Sequence, residues 1–266
     1  MAIATIDDIV SGMSAAQLSN WLKTLSIAKS AGAFVSGWQA AGFPPAGAAS
    51  PAYTAGSGYT CSSATGGAMW YANGAVKNWL AKMSACVSQP GTLILADRLW
   101  SCSGMGFGIA TYTVTTPGSL PARITDNGVG CEIWVEQFVA AGAASGTLTV
   151  NYKDVGDAAG AGVIAAVVSA PLINQLQPVP LAAGDTGVRS IVSAANSVSW
   201  TSGTWGLTIM KRIAQIECPV LGAGAGRDWA ALGLPAIPAD ACLQLIYCAG
   251  NTTAAQVVGS LSIIDK

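Results

Sequence analysis

Nine short runs rich in β-forming residues, separated by Gly, Pro, Asn and Asp, dominate residues 91–266 of this chain. Such runs, bounded by turn residues, are typical of β-strands. Strands at this spacing favour a β-sandwich or jelly roll. The predicted strands cover 92–101, 109–116, 131–140, 146–154, 163–169, 187–194, 204–217, 241–249 and 256–264.

Residues 1–90 have a different pattern, which begins with helical signals. Ser14-Ala-Ala-Gln17 has the spacing of a capping box, Ser/Thr-x-x-Glu/Gln, and an apolar period on one helical face follows it, made of Leu18, Trp21, Leu22 and Leu25. We therefore expect a helix from residue 14 onward. A short helical turn is also expected over 5–10, and a second helix over 68–83.

Residues 32–67 consist mostly of Gly, Ala, Ser and Pro with isolated aromatic residues. This segment is too apolar for a solvated linker and too broken for regular structure, so we expect an extended arm that gains order by lying on neighbouring molecules. The sequence thus predicts a mainly β protein with two parts. The first, 1–90, is a helix plus an extended arm, and the second, 91–266, is a β-sandwich domain.

Charge is scarce along the whole chain. Only 25 of 266 residues are charged (12 Lys and Arg, 13 Asp and Glu), 9% of the total, while 52% are apolar. A typical soluble domain is about 25% charged. A molecule of this mass exposes roughly 11,000 Å², so the charges are spread thinly enough to leave apolar patches of the size that marks interfaces. The composition therefore predicts a subunit of an assembly.

Several classes of function are disfavoured by the same composition. The net charge is −1 with no basic cluster, whereas nucleic-acid binding needs a positive surface. No run of about 20 unbroken apolar residues suggests a membrane span. The acidic start of the chain lacks the basic residues of a secretion signal. We expect no nucleic-acid partner and no membrane partner.

Catalytic chemistry also lacks its usual residues. The chain has no histidine, which removes imidazole-dependent triads and most metal sites. Glu132 and Glu136 lie four apart in a predicted strand, which separates them by about 13 Å, too far for a glycosidase pair. We interpret them as a solvated or interface edge. The sequence predicts a protein without enzymatic activity, cofactor or metal.

The seven cysteines allow two interpretations. An odd number of cysteines without a secretion signal argues against a disulfide framework. The simpler interpretation is that they are buried free thiols. The alternative is a cross-link between subunits, with Cys61 and Cys86 as candidates.

The nine tryptophans are divided between core and interface. We expect Trp100 and Trp134 to be core residues of strands. Tryptophan is enriched at the energetic centres of interfaces, so aromatic residues of the first part of the chain are the candidate docking anchors: Trp21, Trp38, Phe43, Trp70 and Trp79.

Four short sequence segments, called the shared phrases below, resemble those of a known protein family. Leu95-Ala-Asp-Arg-Leu-Trp100, Leu120-Pro-Ala-Arg123, Ala183-Gly-Asp-Thr-Gly-Val-Arg-Ser190 and Trp200-Thr-Ser-Gly-Thr204 occur in that order. Together with the hairpin-like runs 132–136 and 147–152, they resemble structural proteins of tailed bacteriophage particles. The resemblance covers about 90–265 and implies a β-rich virion component, packed among its own copies or on a capsid shell, assembled in the host cytoplasm.

Two arginines in the shared phrases are rare charges in this chain. Arg98 and Arg189 are expected to pair with carboxylates, and Asp97 and Asp185 are near them in sequence. Arginine suits buried or interfacial pairs because its planar group holds a carboxylate through two hydrogen bonds.

These observations lead to one preferred function and two alternatives. The preferred function is a capsid decoration or cement subunit that stabilises the head by apolar packing, with copies of itself and the major capsid protein as partners. The first alternative is a tail, neck or baseplate component. The second is a receptor- or carbohydrate-binding module.

Overall fold

The computed structural model describes residues 3–25, 30–48, 57–72, 77–106, 108, 111–114, 120–143, 146–164, 167, 169–199 and 202–265. The predicted mainly β fold is confirmed. The described elements, in chain order, are α1 Ile6–Met13, β1 Gln17–Leu25, β2 Phe34–Ser36, β3 Ala41–Phe43, β4 Gly58–Thr60, β5 Asn78–Val87, β6 Gly91–Gly106, β7 Thr111–Thr113, β8 Cys131–Val139, β9 Leu148–Lys153, β10 Ala159–Ile164, β11 Gln175–Val179, β12 Ser190–Asn196, β13 Thr204–Cys218, β14 Gly224–Asp228, α2 Trp229–Leu232, β15 Ala236–Ile237, β16 Leu243–Ala249 and β17 Ala255–Asp265.

The chain divides into two compact units that interleave along the sequence. Unit 1 comprises 1–47, 62–97 and 213–266, and unit 2 comprises 48–61 and 98–212. The sequence predicts a single boundary, at residue 90, whereas each unit draws on residues from both sides of that position. Strands β6 and β13 each contribute residues to both units.

Unit 1 is a two-layered β-sandwich. One layer has the strand order β14-β5-β17-β1-β3, with β15 paired to β5. In the other layer β16 pairs with β2 and with the first part of β6. Side chains from both layers form one buried core, which includes Trp21, Met83 and Leu261 from the first layer and Leu93 and Leu245 from the second. Burial of these apolar side chains is the main source of the unit's stability.

Unit 2 is a second sandwich with its own core. Its four-stranded sheet has the order β10-β9-β12-β7, and β8 lies between β11 and β13 in the facing layer. The core joins Val150 and Ile191 of the four-stranded sheet to Ile133 and Leu207 of the facing layer.

The predicted helix from residue 14 is wrong, because residues 17–25 form strand β1. Its burial alternates, with Trp21 and Leu25 in the core and Leu18 and Leu22 on the outer face. The spacing of these four residues therefore imitated a helical face while the strand splits them between two faces.

The short turn expected over 5–10 is confirmed as helix α1. Its capping box is formed by Thr5 and Asp8: the Asp8 amide donates to Thr5 Oγ1 at 3.2 Å, and the Thr5 amide donates to the Asp8 carboxylate at 3.0 Å. The helix expected over 68–83 is wrong. Residues 68–72 have no regular structure and strand β5 begins at Asn78, while 73–76 lie outside the described residues.

The expected extended arm is, in its described part, built into the two units. Strands β2 and β3 belong to unit 1, and β4 pairs with β6 in unit 2. Val35 and Trp38 are buried, with 3% and 1% of their surfaces exposed. This segment therefore completes the fold of its own chain.

Most predicted strands of the second part correspond to observed ones. Three were missed: β11, which Pro178 interrupts, β14, which begins Gly-Ala-Gly, and the two-residue strand β15. The proline and the glycines are sequence features that argue against a strand interior. The strand expected over 163–169 is placed earlier, at β10.

Candidate interaction surface

A row of apolar side chains crosses the outer face of the first sheet of unit 1. Opposite residues of an antiparallel pair point to the same face, so the register defines the row. Phe43 of β3 lies opposite Leu22 of β1, Leu22 lies opposite Val258 of β17, and Val258 lies opposite Cys86 of β5. Gly224 of β14 ends the row opposite Cys86. Five strands at about 4.8 Å spacing give the row a length of about 19 Å.

These side chains are open to solvent although the sheet's other face is buried. Phe43 is 56% exposed, Leu22 47% and Val258 45%, and Cys86 is half-buried. The turn before β14, beside the end of β5, also exposes Val220 at 59% and Leu221 at 65%. We refer to Phe43, Leu22, Val258 and Cys86 together as the apolar strip.

The backbone holds both ends of the apolar strip in place. At one end the Gly222 amide donates to the Val87 carbonyl at 2.7 Å, which fixes the turn beside β5. At the other end Gly42 has φ +132°, and a Cβ there would lie 1.9 Å from the Leu22 carbonyl oxygen. Only glycine therefore allows β3 to approach β1 closely enough to present Phe43.

A buried lysine also supports the Phe43 end. Lys23 is 3% exposed, and its Nζ donates to the carbonyls of Ala40 and Pro44 at 3.1 and 2.7 Å, on both sides of β3. Burial lowers the pKa of Lys23 to about 8, because desolvation penalises the charged amine.

Among the described residues, the rows beside the apolar strip are polar but uncharged. The next row contains Asn20, Ser260 and Ser84, with the two serine hydroxyls 2.9 Å apart. On the other side Thr24 lies opposite Gln256. The nearest charges in register on this face are two rows away, where Lys82 and Asp228 lie opposite each other and have opposite signs.

The aromatic residues expected as docking anchors are divided by the structure. Trp21 and Trp38 are each 1% exposed in unit 1, which assigns them to the fold of their own chain and not to docking. Trp79 is half-buried against Ile9, Ala81 and Ile264. Phe43 and Trp70 are exposed at 56% and 64%, and their contact with a partner stays a prediction.

The cysteines are all free thiols, and most of them are buried. Cys61 is fully buried, which is incompatible with a cross-link to another subunit unless unit 2 opens. Burial raises the pKa of the Cys102 thiol to about 12 and also raises that of Cys218, so their reactive thiolate forms are scarce. Cys86 is half-buried on the apolar strip.

The charged residues that the sequence singled out lie in unit 2. Arg98 forms an ion pair with Glu136 at 2.7 Å, and both side chains are fully buried. The burial expected for Arg98 is therefore observed, but its ion-pair partner comes from β8 and not from the adjacent Asp97. Glu136 also accepts from the Thr208 hydroxyl at 3.1 Å. The interpretation of Glu136 as a solvated edge is wrong.

Glu132, the second carboxylate of that pattern, faces a different environment. It is half-buried and accepts from Arg212 Nε and from Trp134 Nε1, each at 3.0 Å. Arg189 pairs with Asp157 at 3.7 Å on the surface, whereas Asp185 accepts a hydrogen bond from the Tyr152 hydroxyl at 2.5 Å.

A cleft of about 380 Å³ lies beside Glu132 in unit 2. Its polar side chains are those of Glu132, Arg212, Asp185 and Thr186, and its apolar wall includes Val179. Polar groups of this kind can hold hydroxyl-bearing ligands. Among the residues that the structure describes, no group of three or more His, Cys, Asp or Glu could hold a metal ion. Within the same ranges, no helix is long and apolar enough to cross a membrane.

The chain matches no protein-family model and no curated protein. Among solved structures it is similar to a chain from the structure of the infectious bursal disease virus Gx strain, at 10% identity and a TM-score of 0.23, covering 93% of this chain and 80% of that one. It is also similar to a mutant VP2 protein of the same virus, at 8% identity and a TM-score of 0.21, covering 93% and 77%. At these TM-scores the similarities carry no argument about fold or function.

Proposed function

We propose that this protein is a non-enzymatic structural subunit of a virus particle, and specifically a decoration or cement subunit on the head of a tailed phage. The observation that carries the proposal is the apolar strip. An exposed apolar row across a sheet, with no charge in the rows beside it, has an unfavourable free energy of contact with water. Burial against a partner removes this contact.

The mechanism of such a subunit is adhesive. Burial of apolar surface contributes about 25 cal/mol per Å², and many copies acting together on one shell multiply a modest individual affinity. The low charge of the chain, 9% of residues, limits the repulsion between copies packed side by side. The family resemblance of the shared phrases supports a phage particle as the setting.

The test is incorporation of the protein into particles. Val258→Lys places a charge in the apolar strip. Val163→Lys is a matched control, because Val163 on β10 of unit 2 is 44% exposed against 45% for Val258. We expect the wild type and Val163→Lys in purified particles at similar copy number, and Val258→Lys at about a tenth of it or less, because a buried unpaired charge is costly. Absence of the wild type from purified particles contradicts the proposal.

The number of copies per particle distinguishes a decoration subunit from a tail, neck or baseplate component. Hundreds of copies per particle support decoration of the head, and a handful support a tail, neck or baseplate component.

The alternative of a carbohydrate-binding module takes its support from the cleft beside Glu132. Glycan binding by purified protein that is lost in Arg212→Ala and retained in Val258→Lys favours this alternative. Five of the tryptophans that could stack on sugars are buried at 0–1% exposure, namely Trp21, Trp38, Trp100, Trp134 and Trp205, which weakens it.

A further inference from the structure

We propose that the apolar strip docks against the same strip of a second copy of this chain, in a two-fold symmetric contact. The inference deepens the proposed function, because it names the partner of the surface on which that function rests. Three features of the surface point to a second copy: its size, the chemistry of its rim, and its balance of charge.

The apolar strip is large enough to form the centre of an interface. Its three most exposed side chains have 45–56% of their surfaces in contact with solvent, which amounts to on the order of 300 Å² and reaches the lower end of the range of patches that mark interaction sites. A standard interface buries about 800 Å² per partner. The flanking polar rows supply the remainder, which gives the apolar centre and polar rim that interfaces show.

The rim is made of groups that can pair with themselves. A two-fold contact brings the same patch of both copies together, so every rim group must tolerate its own kind nearby. Asn20, Gln256, Ser84, Ser260 and Thr24 carry amides and hydroxyls, and each of these groups both donates and accepts hydrogen bonds. A rim of one charge would instead repel its copy.

The charge balance also suits a second copy better than a charged partner. Lys82 and Asp228 lie opposite each other in register at the edge of this face, so that their charges offset locally. The chain as a whole has a net charge of −1, so two copies repel each other weakly. The face offers no excess of either sign to attract a strongly acidic or basic protein.

Cys86 provides a chemical reporter at the proposed contact. It is half-buried on the strip, opposite Val258 and beside Gly224, where an added Cβ would meet no other atom within 4 Å. In a two-fold contact centred on the strip, the Cys86 thiols of both copies fall within reach of a short bismaleimide. Cys248 is a matched control, because it is also half-buried but lies on β16 in the other layer of unit 1.

The experiment measures self-association of the purified full chain by sedimentation, with the wild type, Val258→Lys, Leu22→Lys and the control Val163→Lys. We expect the wild type and Val163→Lys to dimerise, and both strip variants to show a dimer dissociation constant raised about tenfold or more, because each copy then buries an unpaired charge. Near-ultraviolet circular dichroism verifies that each variant is folded.

Cross-linking tests the same contact without introducing a charge into the strip. We expect the bismaleimide to give a dimer with the wild type and with Cys248→Ser, and none with Cys86→Ser. A monomeric wild type at high micromolar concentration, equal weakening by Val258→Lys and Val163→Lys, or a cross-linked dimer that persists in Cys86→Ser overturns the inference.

The two proposals fail in different ways. A wild type that is monomeric in solution but present in particles overturns the second-copy contact and leaves the virion role standing. A wild type that dimerises but is absent from particles overturns the virion role and leaves the contact standing.

Discussion

The outer faces of two sheets, one in each unit, carry opposite side-chain chemistry on similar backbones. In unit 1 a row across the sheet reads Phe43, Leu22, Val258 and Cys86. In unit 2 a row across the four-stranded sheet reads Ala161, Asn151, Ser193 and Thr113, and the Asn151 amide donates to the Ser193 hydroxyl at 2.8 Å. The inner faces of both sheets are apolar and buried. A sheet needs only one apolar face to fold, so folding alone does not require the second apolar face of unit 1, and the proposed contact accounts for it.

The interiors of the two units differ in how they hold buried charged side chains. Unit 2 buries the Arg98–Glu136 ion pair completely. In unit 1 the buried Lys23 donates to backbone carbonyls, and the buried Asp97 accepts from the Cys242 amide at 2.8 Å. Unit 2 therefore depends on an internal electrostatic match, while unit 1 has a charged group whose burial is costly.

The largest expected effect tests the interior of unit 2. Glu136→Ala leaves the Arg98 guanidinium buried without its carboxylate, so we expect a loss of about 3–5 kcal/mol in the free energy of unfolding. The double variant Arg98→Met/Glu136→Leu removes both charges and is expected to recover most of that loss. Chemical denaturation and hydrogen exchange of unit 2 amides measure both. Equal stability of Glu136→Ala and the wild type would contradict a structural role for the pair.

A smaller effect tests the buried lysine of unit 1. The folded-state pKa of Lys23, about 8, lies below 10.5, the ordinary value for a lysine side chain. Between these values the unfolded chain binds more protons than the folded one, so this group makes stability rise with pH across that window. Relative to Lys23→Met, we expect the wild type to gain on the order of 1–3 kcal/mol from pH 8 to pH 10.5.

Denaturation of both proteins across this range measures the gain. The comparison with Lys23→Met isolates the contribution of this lysine from that of every other group. A constant difference between the two proteins would show that the Lys23 amine is not desolvated.

The smallest effect on stability comes from exchanging the outer faces. Leu22→Thr makes the unit 1 row more polar, and Thr149→Leu makes the unit 2 face more apolar. We expect each to change the free energy of unfolding by about 0.5 kcal/mol or less, because both positions are on the surface. Self-association, measured by sedimentation, should weaken in the first and strengthen in the second. If self-association is the same in both variants as in the wild type, the difference between the two outer faces does not affect binding.

The sequence predicts the β class and most strands of the second part because turn residues bound each apolar run. It fails at residues 17–25 for a physical reason. Leu18 and Leu22 point outward while Trp21 and Leu25 point inward, and a strand that is apolar on both faces has lost the alternation that distinguishes it from a helix. Of the residues that misled the prediction, Leu22 belongs to the apolar strip and Leu18 lies on the same face two rows away.

The candidate surface itself could not be predicted, because it depends on register. Leu22, Val258 and Cys86 come from distant segments, and a shift of one residue in any strand would turn its side chain inward. The ion-pair partner of Arg98 could not be predicted for the same reason. Glu136 is 38 positions away, and other carboxylates are closer to Arg98 in the sequence. The exposed Phe43 was anticipated from composition, but its neighbours were not.

Strand β17 follows every other described element in the sequence, yet it lies in the middle of its sheet, between β1 and β5. During synthesis, Leu22 and Cys86 emerge long before Val258 can join them. The apolar strip is therefore complete only when translation has reached residues 255–265. A shorter nascent chain has no continuous strip to present, so the proposed contact between copies can form only after β17 has been made.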